Sequence, residues 1–320
     1  MTDLAGLVAY GTGFLNLALI AAIACLGLNV QWGQCGLFNA GVAGFMAIGA
    51  YTSALLTTAP LAGRLLGLGW SIPLGWLAAT MSAGAAAALL GAATLRLRAD
   101  YLAITTFGAA VIIELALRNA ERLTGGPFGV GFIPRPFESL IARPVLFGGA
   151  NLLLLALLTG LVLLILLRLQ GSPWGRVLRA IREDEHAANA LGKPAARYKV
   201  QAFAIGGALM GLAGALQAHL VGFIVPDNFS SALTFQVWAM LIIGGAGNGV
   251  GALLGALLVA SIWSGSGYLA GALFDADQQV RAAALRIVAI GILLCAVLRL
   301  KPRGLLGEAL QVSRYLDEGT

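Results

Sequence analysis

The densest group of ionisable side chains lies in RAIREDEHAANALGKPAARYK, residues 179–199, which we call the polar segment. Three consecutive acids with basic neighbours suit ion pairing and hydrogen bonding to a partner. Basic residues alone would suit anionic lipid headgroups, but three acids in a row would be repelled by lipid phosphates. The pattern therefore favours docking of a cytoplasmic protein, with a solvated loop on lipid headgroups as the alternative. The charged residues are Arg179, Arg182, Glu183, Asp184, Glu185, Lys193, Arg197 and Lys199.

Other motifs that could support catalysis or cofactor binding are weak. The sequence has no G-x-x-x-x-G-K-[ST] motif, so it has no P-loop by that criterion. GGAGNG (244–249) follows an apolar helical segment rather than a strand of a βαβ unit, which argues against a nucleotide loop. His186 and His219 lie far apart, and the three cysteines show no metal-ligand spacing. We predict that this chain is not an enzyme and binds no metal or cofactor itself.

Composition indicates a membrane protein. Of the 320 residues, 59% are hydrophobic and 11% are charged, with a mean hydropathy of +0.88. Apolar runs such as 152–167 and 202–223 approach or reach the roughly 20 residues that cross a bilayer. Apolar and polar residues do not alternate along these runs, as they do along the strands of a membrane barrel. The net charge of +6 is then explained by cytoplasmic Lys and Arg rather than by nucleic acid.

The apolar runs predict an all-α transmembrane bundle of about eight or nine spans. Glycines at 244–251 are predicted to break one long segment into a pair of short helices, because glycine is poor in helix interiors. The predicted helices are 5–29, 36–58, 70–95, 101–119, 147–169, 198–222, 233–246, 249–268 and 281–300.

Charge predicts the orientation of these spans. Successive loops of a membrane protein lie on alternate sides of the bilayer. If the polar segment is cytoplasmic, 13 of the 20 basic residues lie on the cytoplasmic side, as the positive-inside bias requires. The N-terminus is then outside and the C-terminus cytoplasmic. The seven basic residues left are Arg64, Arg118, Arg122, Arg135 and Arg143, with Arg281 and Arg286 at or within the last helix.

The polar segment carries helix signals at both ends. Ser172 is a good N-cap, and Pro173 suits the first helical position. Gly192, followed by Lys193 and Pro194, is a stop signal. We predict one helix over 173–192, too polar to span a membrane and lying at the cytoplasmic surface.

Polar residues inside apolar spans suggest a translocation path, because burying them is costly. The candidates are Asn39, Thr105, Thr106, Glu114, Gln236 and Asn248. Glu114 has a simpler interpretation, an i,i+4 ion pair with Arg118. The glycine-interrupted stretch 244–251 fits either a substrate site or a plain inward-side turn. Intramembrane glycines such as Gly207 and Gly211 fit close helix packing, with a path lining as the alternative.

Several stretches resemble one family. SPWGRVLRAIREDEHAANALGKPAARYKVQAFAIGGALMGLAGAL (172–216) resembles the coupling region of ATP-binding-cassette (ABC) importer permeases, and more closely LivM-type permeases of branched-chain amino-acid importers. The resemblance covers most of residues 27–308. Further similar stretches are GLFNAGVAGFMAIGAYTSALL (36–56), TLRLRADYLAITTFG (94–108), LRNAERLTGGPFGV (117–130), GFIVPDNF (222–229), LIIGGAGNGVGALLGALL (241–258) and KPRGLLGE (301–308).

The resemblance implies a role for the polar segment. The family's coupling signature is Glu-Ala-Ala, three residues, then Gly; here Ala187, Ala188 and Gly192 keep the spacing, while His186 stands at the Glu position. In the family this segment is a short cytoplasmic helix in a groove of the ATP-binding subunit. The implied coupling residues are Arg182, Glu183, Asp184, Glu185, Ala187, Ala188 and Gly192.

The resemblance also implies the assembly. The chain is expected to be one permease domain, residues 1–320, in the bacterial cytoplasmic membrane, paired with a second, similar permease. Two ATP-binding subunits would hold ATP and Mg, and an extracytoplasmic binding protein would deliver substrate. The coupling segment is 170–198, the cytoplasmic tail is 301–320, and the outer loop 120–146 is either a plain connector or part of the binding-protein contact.

Two other functions stay open. A transporter or channel driven by an ion gradient would be expected to carry more acids inside its spans than Glu114. A membrane-embedded enzyme would need a polar catalytic cluster within a span. The family carries branched-chain and other aliphatic amino acids, urea and amides, and the residues named above do not distinguish among these substrates.

Overall fold

The computed structural model describes residues 4–60, 67–94, 97 and 99–273, and parts of the stretch 288–308. Within the described residues the chain is helical, and one isolated antiparallel bridge joins Val130 and Ile224. The helices are α1 (Leu4–Leu28), α2 (Val42–Thr57), α3 (Ile72–Thr94), α4 (Ala99–Asn119), α5 (Glu121–Thr124), α6 (Pro144–Gly171), α7 (Pro173–Glu183), α8 (Glu185–Ala190), α9 (Ala195–Val221), α10 (Ser231–Gly244) and α11 (Gly249–Leu273). Short 3₁₀ turns lie at Gly126–Phe128, Glu138–Leu140 and Pro226–Phe229.

Six of the described helical segments are long and apolar enough to cross a membrane. Two further apolar helices, α2 with 16 residues and α10 with 14, are shorter than a full span. This confirms the predicted all-α polytopic bundle. The six segments are Val8–Gln34, Ile72–Thr94, Asp100–Asn119, Pro144–Gly171, Ala195–Val221 and Gly249–Ser266.

Two predicted helices needed correction. The second helix was predicted from residue 36 but begins at Val42, because residues 36–41 are not helical. The first helix does not end at residue 29; it continues as a π-helical turn, Asn29–Gln34, which we call the π turn. The predicted helix 281–300 and most of the predicted tail 301–320 lie outside the described residues.

Small residues let the central helices touch. In α3, small residues recur every four positions and are buried: Gly75, Ala79, Ala83, Ala87 and Gly91. Ala79, Ala83 and Ala87 pack on α9, where a Cβ placed on Gly211 would lie 2.2 Å from the Cβ of Ala83. Gly75 packs instead on Ser53 and Thr57 of α2. Such close backbone approach is how helices associate in lipid, where packing replaces the hydrophobic effect.

The bundle has two distinct ends. At one end, α7 and α8 connect α6 to α9, and we call this the α7 end. At the other end, the loop between α4 and α6 lies against the turn after α9, joined by the Val130–Ile224 bridge. We call this the loop end. The turn between α10 and α11, residues 245–248, lies at the α7 end, where it contacts the π turn.

Candidate functional site

The first helix of the site, α7, is amphipathic. Ser172 occupies the N-cap position and Pro173 the first turn, as predicted, but the Ser172 hydroxyl donates to the Leu169 carbonyl at 2.6 Å instead of capping. Leu178 and Ile181 are buried. Trp174 Nε1 donates to Gln201 Oε1 at 2.9 Å, which ties α7 to α9. The helix is therefore fixed to the bundle along its inner face.

The prediction of one continuous helix over 173–192 was wrong, because Asp184 breaks it. The backbone of Asp184 is extended, and its Oδ1 accepts from the backbone N–H groups of His186 at 2.8 Å and Ala187 at 3.0 Å. This is an N-cap, the position that Asp prefers to a helix interior. The same hydrogen bonds, that from Ala187 foremost, lower the pKa of Asp184. Gly192, with φ of +76°, ends the unit as predicted.

The second helix, α8, presents an apolar tip to its surroundings. Ala188 is buried against Ile181 and Ala195, which fixes α8 on α7 and α9. Leu191 is 81% exposed, although it is a large aliphatic side chain. The exposed residues Ala187, Ala190, Leu191 and Gly192, which we call the α8 tip, form a compact surface suited to an apolar groove.

Arg182 points inward, toward the membrane part of the chain. Its Nη2 donates to Glu308 Oε2 at 2.7 Å, and its Nη1 donates to the carbonyl of Gly33 in the π turn. Glu185, also predicted as a coupling residue, accepts from Lys199 Nζ on α9. The predicted set therefore divides by direction. Glu183, Asp184, Ala187 and Gly192 are exposed, and Asp184 caps α8 from the surface, whereas Arg182, Glu185 and Ala188 contact other parts of the chain.

The sequence reasoning missed the π turn beneath α7. Asn29 Oδ1 accepts from Gly247 N at 2.8 Å, and Gln34 Nε2 donates to Gly247 O at 2.7 Å. Gln31 Nε2 donates to Phe203 O on α9 at 2.9 Å. All three polar side chains are buried. The available sequence signal was three amides within the six residues NVQWGQ at the end of an apolar span, where polar side chains are costly to bury.

Two predicted path residues meet beside the π turn. Asn39 Nδ2 donates to Gln31 Oε1 at 2.7 Å, and Asn39 O accepts from Trp238 Nε1 at 2.9 Å. Thr106 Oγ1 accepts from Ala40 N at 3.0 Å. Asn39 and Thr106 are fully buried. Their hydrogen bonds hold the non-helical stretch 36–41 against α4, α9 and α10.

The other predicted path residues do not join that group. Thr105 Oγ1 donates to Tyr101 O within its own helix, and Asn248 Oδ1 caps α11 by accepting from Val250 N at 3.0 Å. Glu114 pairs with Arg118 at 3.6 Å, as its i,i+4 spacing indicated, and Arg118 also binds Asp227. Gln236 lines a separate cavity on the other side of α10.

The C-terminal stretch 303–308 completes the α7 end. Leu305 N donates to Ile243 O at 2.9 Å and Leu306 N to Gly244 O at 3.0 Å, which satisfies carbonyls at the end of α10. A Cβ on Gly304 would lie 2.5 Å from the Cα of Gly245. Through Glu308 this stretch reaches Arg182. The α7 helix, the π turn and the α10–α11 turn therefore share one hydrogen-bonded junction.

At the loop end, two aromatic rings stand out from the protein. Phe128 is 85% exposed and Phe132 is 89% exposed. Their loop is held in place by the Val130–Ile224 bridge and by His219 Nδ1, which lies 2.7 Å from Pro134 O. A fixed loop that presents exposed aromatic rings is typical of a protein contact surface.

Comparison with known proteins gives one family. The family described as the permease component of branched-chain amino acid transport systems matches residues 11–298. The high-affinity branched-chain amino acid transport system permease protein LivM of Escherichia coli (strain K12) is 39% identical over 267 residues, 76% of this chain and 60% of that protein. The chain thus spans less than two thirds of the length of this relative.

Relatives of lower identity are named as permeases for branched-chain amino acids or for autoinducer 2. The probable branched-chain amino acid transport permease protein LivM of Methanocaldococcus jannaschii is 31% identical over 170 residues, 51% of this chain and 46% of the relative. The autoinducer 2 import system permease protein LsrC of Enterobacter sp. (strain 638) is 32% identical over 200 residues, 61% of this chain and 55% of the relative. No solved structure matches the chain.

Proposed function

The chain belongs to the family of branched-chain amino acid transport permeases, and we propose that it is the membrane subunit of an ATP-driven importer. Its cargo in this proposal is a branched-chain or related small aliphatic amino acid, as the names of its LivM relatives suggest. The importer holds a second, similar permease, two ATP-binding subunits that carry ATP and Mg, and an extracytoplasmic binding protein. The α7 end faces the cytoplasm and the loop end faces outward.

The α8 tip is the observation that carries this proposal. It exposes Leu191 beside three small residues, on a unit that is anchored to the bundle from beneath. An exposed aliphatic side chain on a fixed, amphipathic helical unit favours a protein partner over water or lipid headgroups. The ATP-binding subunit is the partner that the resemblance of 172–216 implies.

The contacts of α7 suggest how force passes inward. Closure of the ATP-binding subunits moves the α8 tip, and α7 moves with it because Ala188, Ile181 and Ala195 are packed together. Arg182 carries the displacement to the π turn through Gly33 and to the C-terminal stretch through Glu308. Asn29 and Gln34 pass it on to the α10–α11 turn at Gly247.

The π turn suits this role physically. Its helix is already interrupted there, so a change in register costs fewer regular hydrogen bonds than in an α-helix. Buried Asn29 Nδ2 and Gln34 Oε1 have no hydrogen-bond partner among the described residues. In this proposal the two groups find partners in a second arrangement of the turn, which is what a two-state element requires.

Transport by the assembled complex tests the proposal. The complex is purified from cells and reconstituted in liposomes with its binding protein, and uptake of radiolabelled leucine is followed with and without ATP. We expect uptake that requires ATP on the side of α7 and is unaffected by a proton uncoupler. Uptake that is independent of ATP and abolished by the uncoupler would instead identify a gradient-driven transporter.

A further inference from the structure

A cavity of about 410 Å³ lies on the side of the bundle away from the α7 junction. It is formed by α1, α2, α9, α10 and α11, and its wall is mostly aliphatic and aromatic, including Phe14, Met46 and Met240. Its lining runs along α1 from Tyr10 to Ala21, a distance of about 16 Å at 1.5 Å per residue. The cavity therefore extends from near the loop end toward the middle of the bundle.

Two amide side chains break this apolar wall. Gln217 on α9 and Gln236 on α10 both line the cavity. Neither side chain makes a hydrogen bond to any residue in the described part of the chain. Both side chains are partly exposed, so their donors and acceptors are open to water or to a solute that enters the cavity. Among the described residues that line the cavity, none is Asp, Glu, Lys or Arg.

We propose that Gln217 and Gln236 form a passage site that holds the charged head of an aliphatic amino acid while its side chain contacts the apolar wall. This rests on the proposed transport function and assigns two residues to it. Each amide offers an NH₂ donor for the carboxylate and a carbonyl acceptor for the ammonium group, so two amides can bind both ends of the zwitterion. A lipid acyl chain would leave both amides unpaired.

The described lining is uncharged, and an uncharged wall suits passage of the amino acid rather than tight binding. A carboxylate or guanidinium in the wall would bind the zwitterion strongly and slow its release, whereas conduction requires binding weak enough to leave. The described wall disfavours amino acids with charged side chains, because none of its residues carries a charge that offsets their desolvation. Discrimination against charged side chains at this site therefore adds to the substrate selectivity of the binding protein.

Substitution of both amides tests the site. In the variant Gln217→Met/Gln236→Met the side chains keep their length and lose both donor and acceptor. ATP-driven uptake of radiolabelled leucine by the reconstituted complex is expected to fall about tenfold or more, as for the loss of two hydrogen bonds. The yield of complex and its ATP hydrolysis without binding protein are expected to stay at the wild-type level.

Leu161→Met is the control. Leu161 lies on α6, outside the cavity lining, and its side chain is 53% exposed, so the change introduces a methionine without removing a hydrogen-bonding group. This variant is expected to transport like wild type.

The outcomes separate this inference from the proposed function. If wild-type uptake is driven by ATP and the double variant takes up leucine at a rate within twofold of wild type, the passage site is refuted but the proposed importer function is not. A phospholipid retained equally by both proteins in native mass spectrometry, together with unchanged uptake, identifies a lipid pocket and also overturns the site. If the wild type itself shows no ATP-driven uptake of leucine, the proposed function fails and this inference fails with it.

Discussion

At the residue scale, Arg182 is the most informative side chain of the molecule. It lies on the polar segment, yet it contacts a π-turn carbonyl and a carboxylate from the C-terminal stretch rather than facing outward. Its guanidinium can make such a connection because it offers five N–H donors in a fixed plane. We therefore treat Arg182 as a positioning residue that joins the surface unit to the membrane bundle.

The variant Arg182→Gln is expected to uncouple the transporter. It removes charge-assisted hydrogen bonds worth about 1–2 kcal/mol, toward the low end because the Arg182 and Glu308 side chains are 26% and 31% exposed. Leucine uptake is expected to fall about tenfold while ATP hydrolysis continues. The milder Glu308→Gln keeps an acceptor oxygen and leaves the Gly33 contact, so its loss should be smaller. Equal reduction of hydrolysis and uptake by Arg182→Gln would contradict this role.

Asp184 provides a matched pair of substitutions. Asp184→Ala removes the cap of α8, which should fray that helix and weaken binding of the ATP-binding subunit several-fold, whereas Asp184→Asn keeps the acceptor oxygen and should bind nearly as well. Co-purification of the ATP-binding subunit measures both. Equal binding by the two variants would show that the cap does not shape the α8 tip.

The lowered pKa of Asp184 predicts how this cap responds to pH. A carboxyl whose pKa is depressed in the folded state contributes stability above its unfolded pKa and loses it as pH falls through the folded value. The unfolded value is about 3.9, so the cap should persist from neutral pH to about pH 4. Loss of α8 amide protection between pH 5 and 8 in hydrogen exchange would contradict this assignment.

At the element scale, close helix packing explains most of the intramembrane glycine. A Cβ at Gly49 on α2 would lie 2.0 Å from the carbonyl oxygen of Gly211 on α9, a contact that only a shift of one helix relieves. The sequence left open whether such glycines pack helices or line a path, and at Gly49, Gly207 and Gly211 the structure supports packing. A periodicity of small residues does not by itself say which face meets a neighbour.

Gly49→Ala is accordingly expected to destabilise the bundle by about 1–3 kcal/mol or more. The control is Gly108→Ala on α4, where a Cβ would meet nothing within 4 Å. That change should alter stability by no more than about 1 kcal/mol. Thermal unfolding in detergent, followed by size-exclusion chromatography, compares the two. Equal melting temperatures would show that α2 and α9 do not pack as described.

The loop end is expected to receive the binding protein through its exposed rings. Phe128→Ser removes an apolar contact from a side chain that is 85% exposed, so folding should be unaffected. Stimulation of ATP hydrolysis by the binding protein should weaken several-fold, because buried aromatic side chains dominate such contacts. Stimulation that stays at the wild-type level would remove the loop from the docking surface.

The elements also show where sequence reasoning succeeds and fails. Long apolar runs predicted the ends of these helices within a few residues: α1, α3, α4, α6, α9 and α11. Bilayer thickness sets the length of a span, and a span in lipid must pair its backbone hydrogen-bonding groups, which favours a helix. The break at Asp184 and the π turn were missed. The π turn depends on contacts with distant residues, as when Gly247 N donates to Asn29 Oδ1 across 218 positions of sequence. The break at Asp184 is local, because its carboxylate caps the N–H groups of His186 and Ala187. The six residues NVQWGQ do not by themselves identify Gly247 as their partner.

At the scale of the whole molecule, three sites are separated along the bundle. The α8 tip lies at one end, the exposed rings Phe128 and Phe132 at the other, and the cavity of Gln217 and Gln236 extends from near the loop end toward the middle. The α7 junction links the first of these to α10, which carries Gln236 and Trp238 on one helix. In the proposed importer, this arrangement would give movement of the ATP-binding subunits a physical route to the cavity wall.

The most direct test of this account is whether the α8 tip holds an ATP-binding subunit. Tagged protein is purified in mild detergent from cells that also express the proteins encoded by neighbouring genes. Wild type is compared with Leu191→Asp, which places a charge on the α8 tip at a side chain that is 81% exposed. We predict that wild type retains both an ATP-binding subunit and a second permease, and that Leu191→Asp retains only the permease. Retention of the ATP-binding subunit by Leu191→Asp, or its absence from the wild-type complex, would contradict the account.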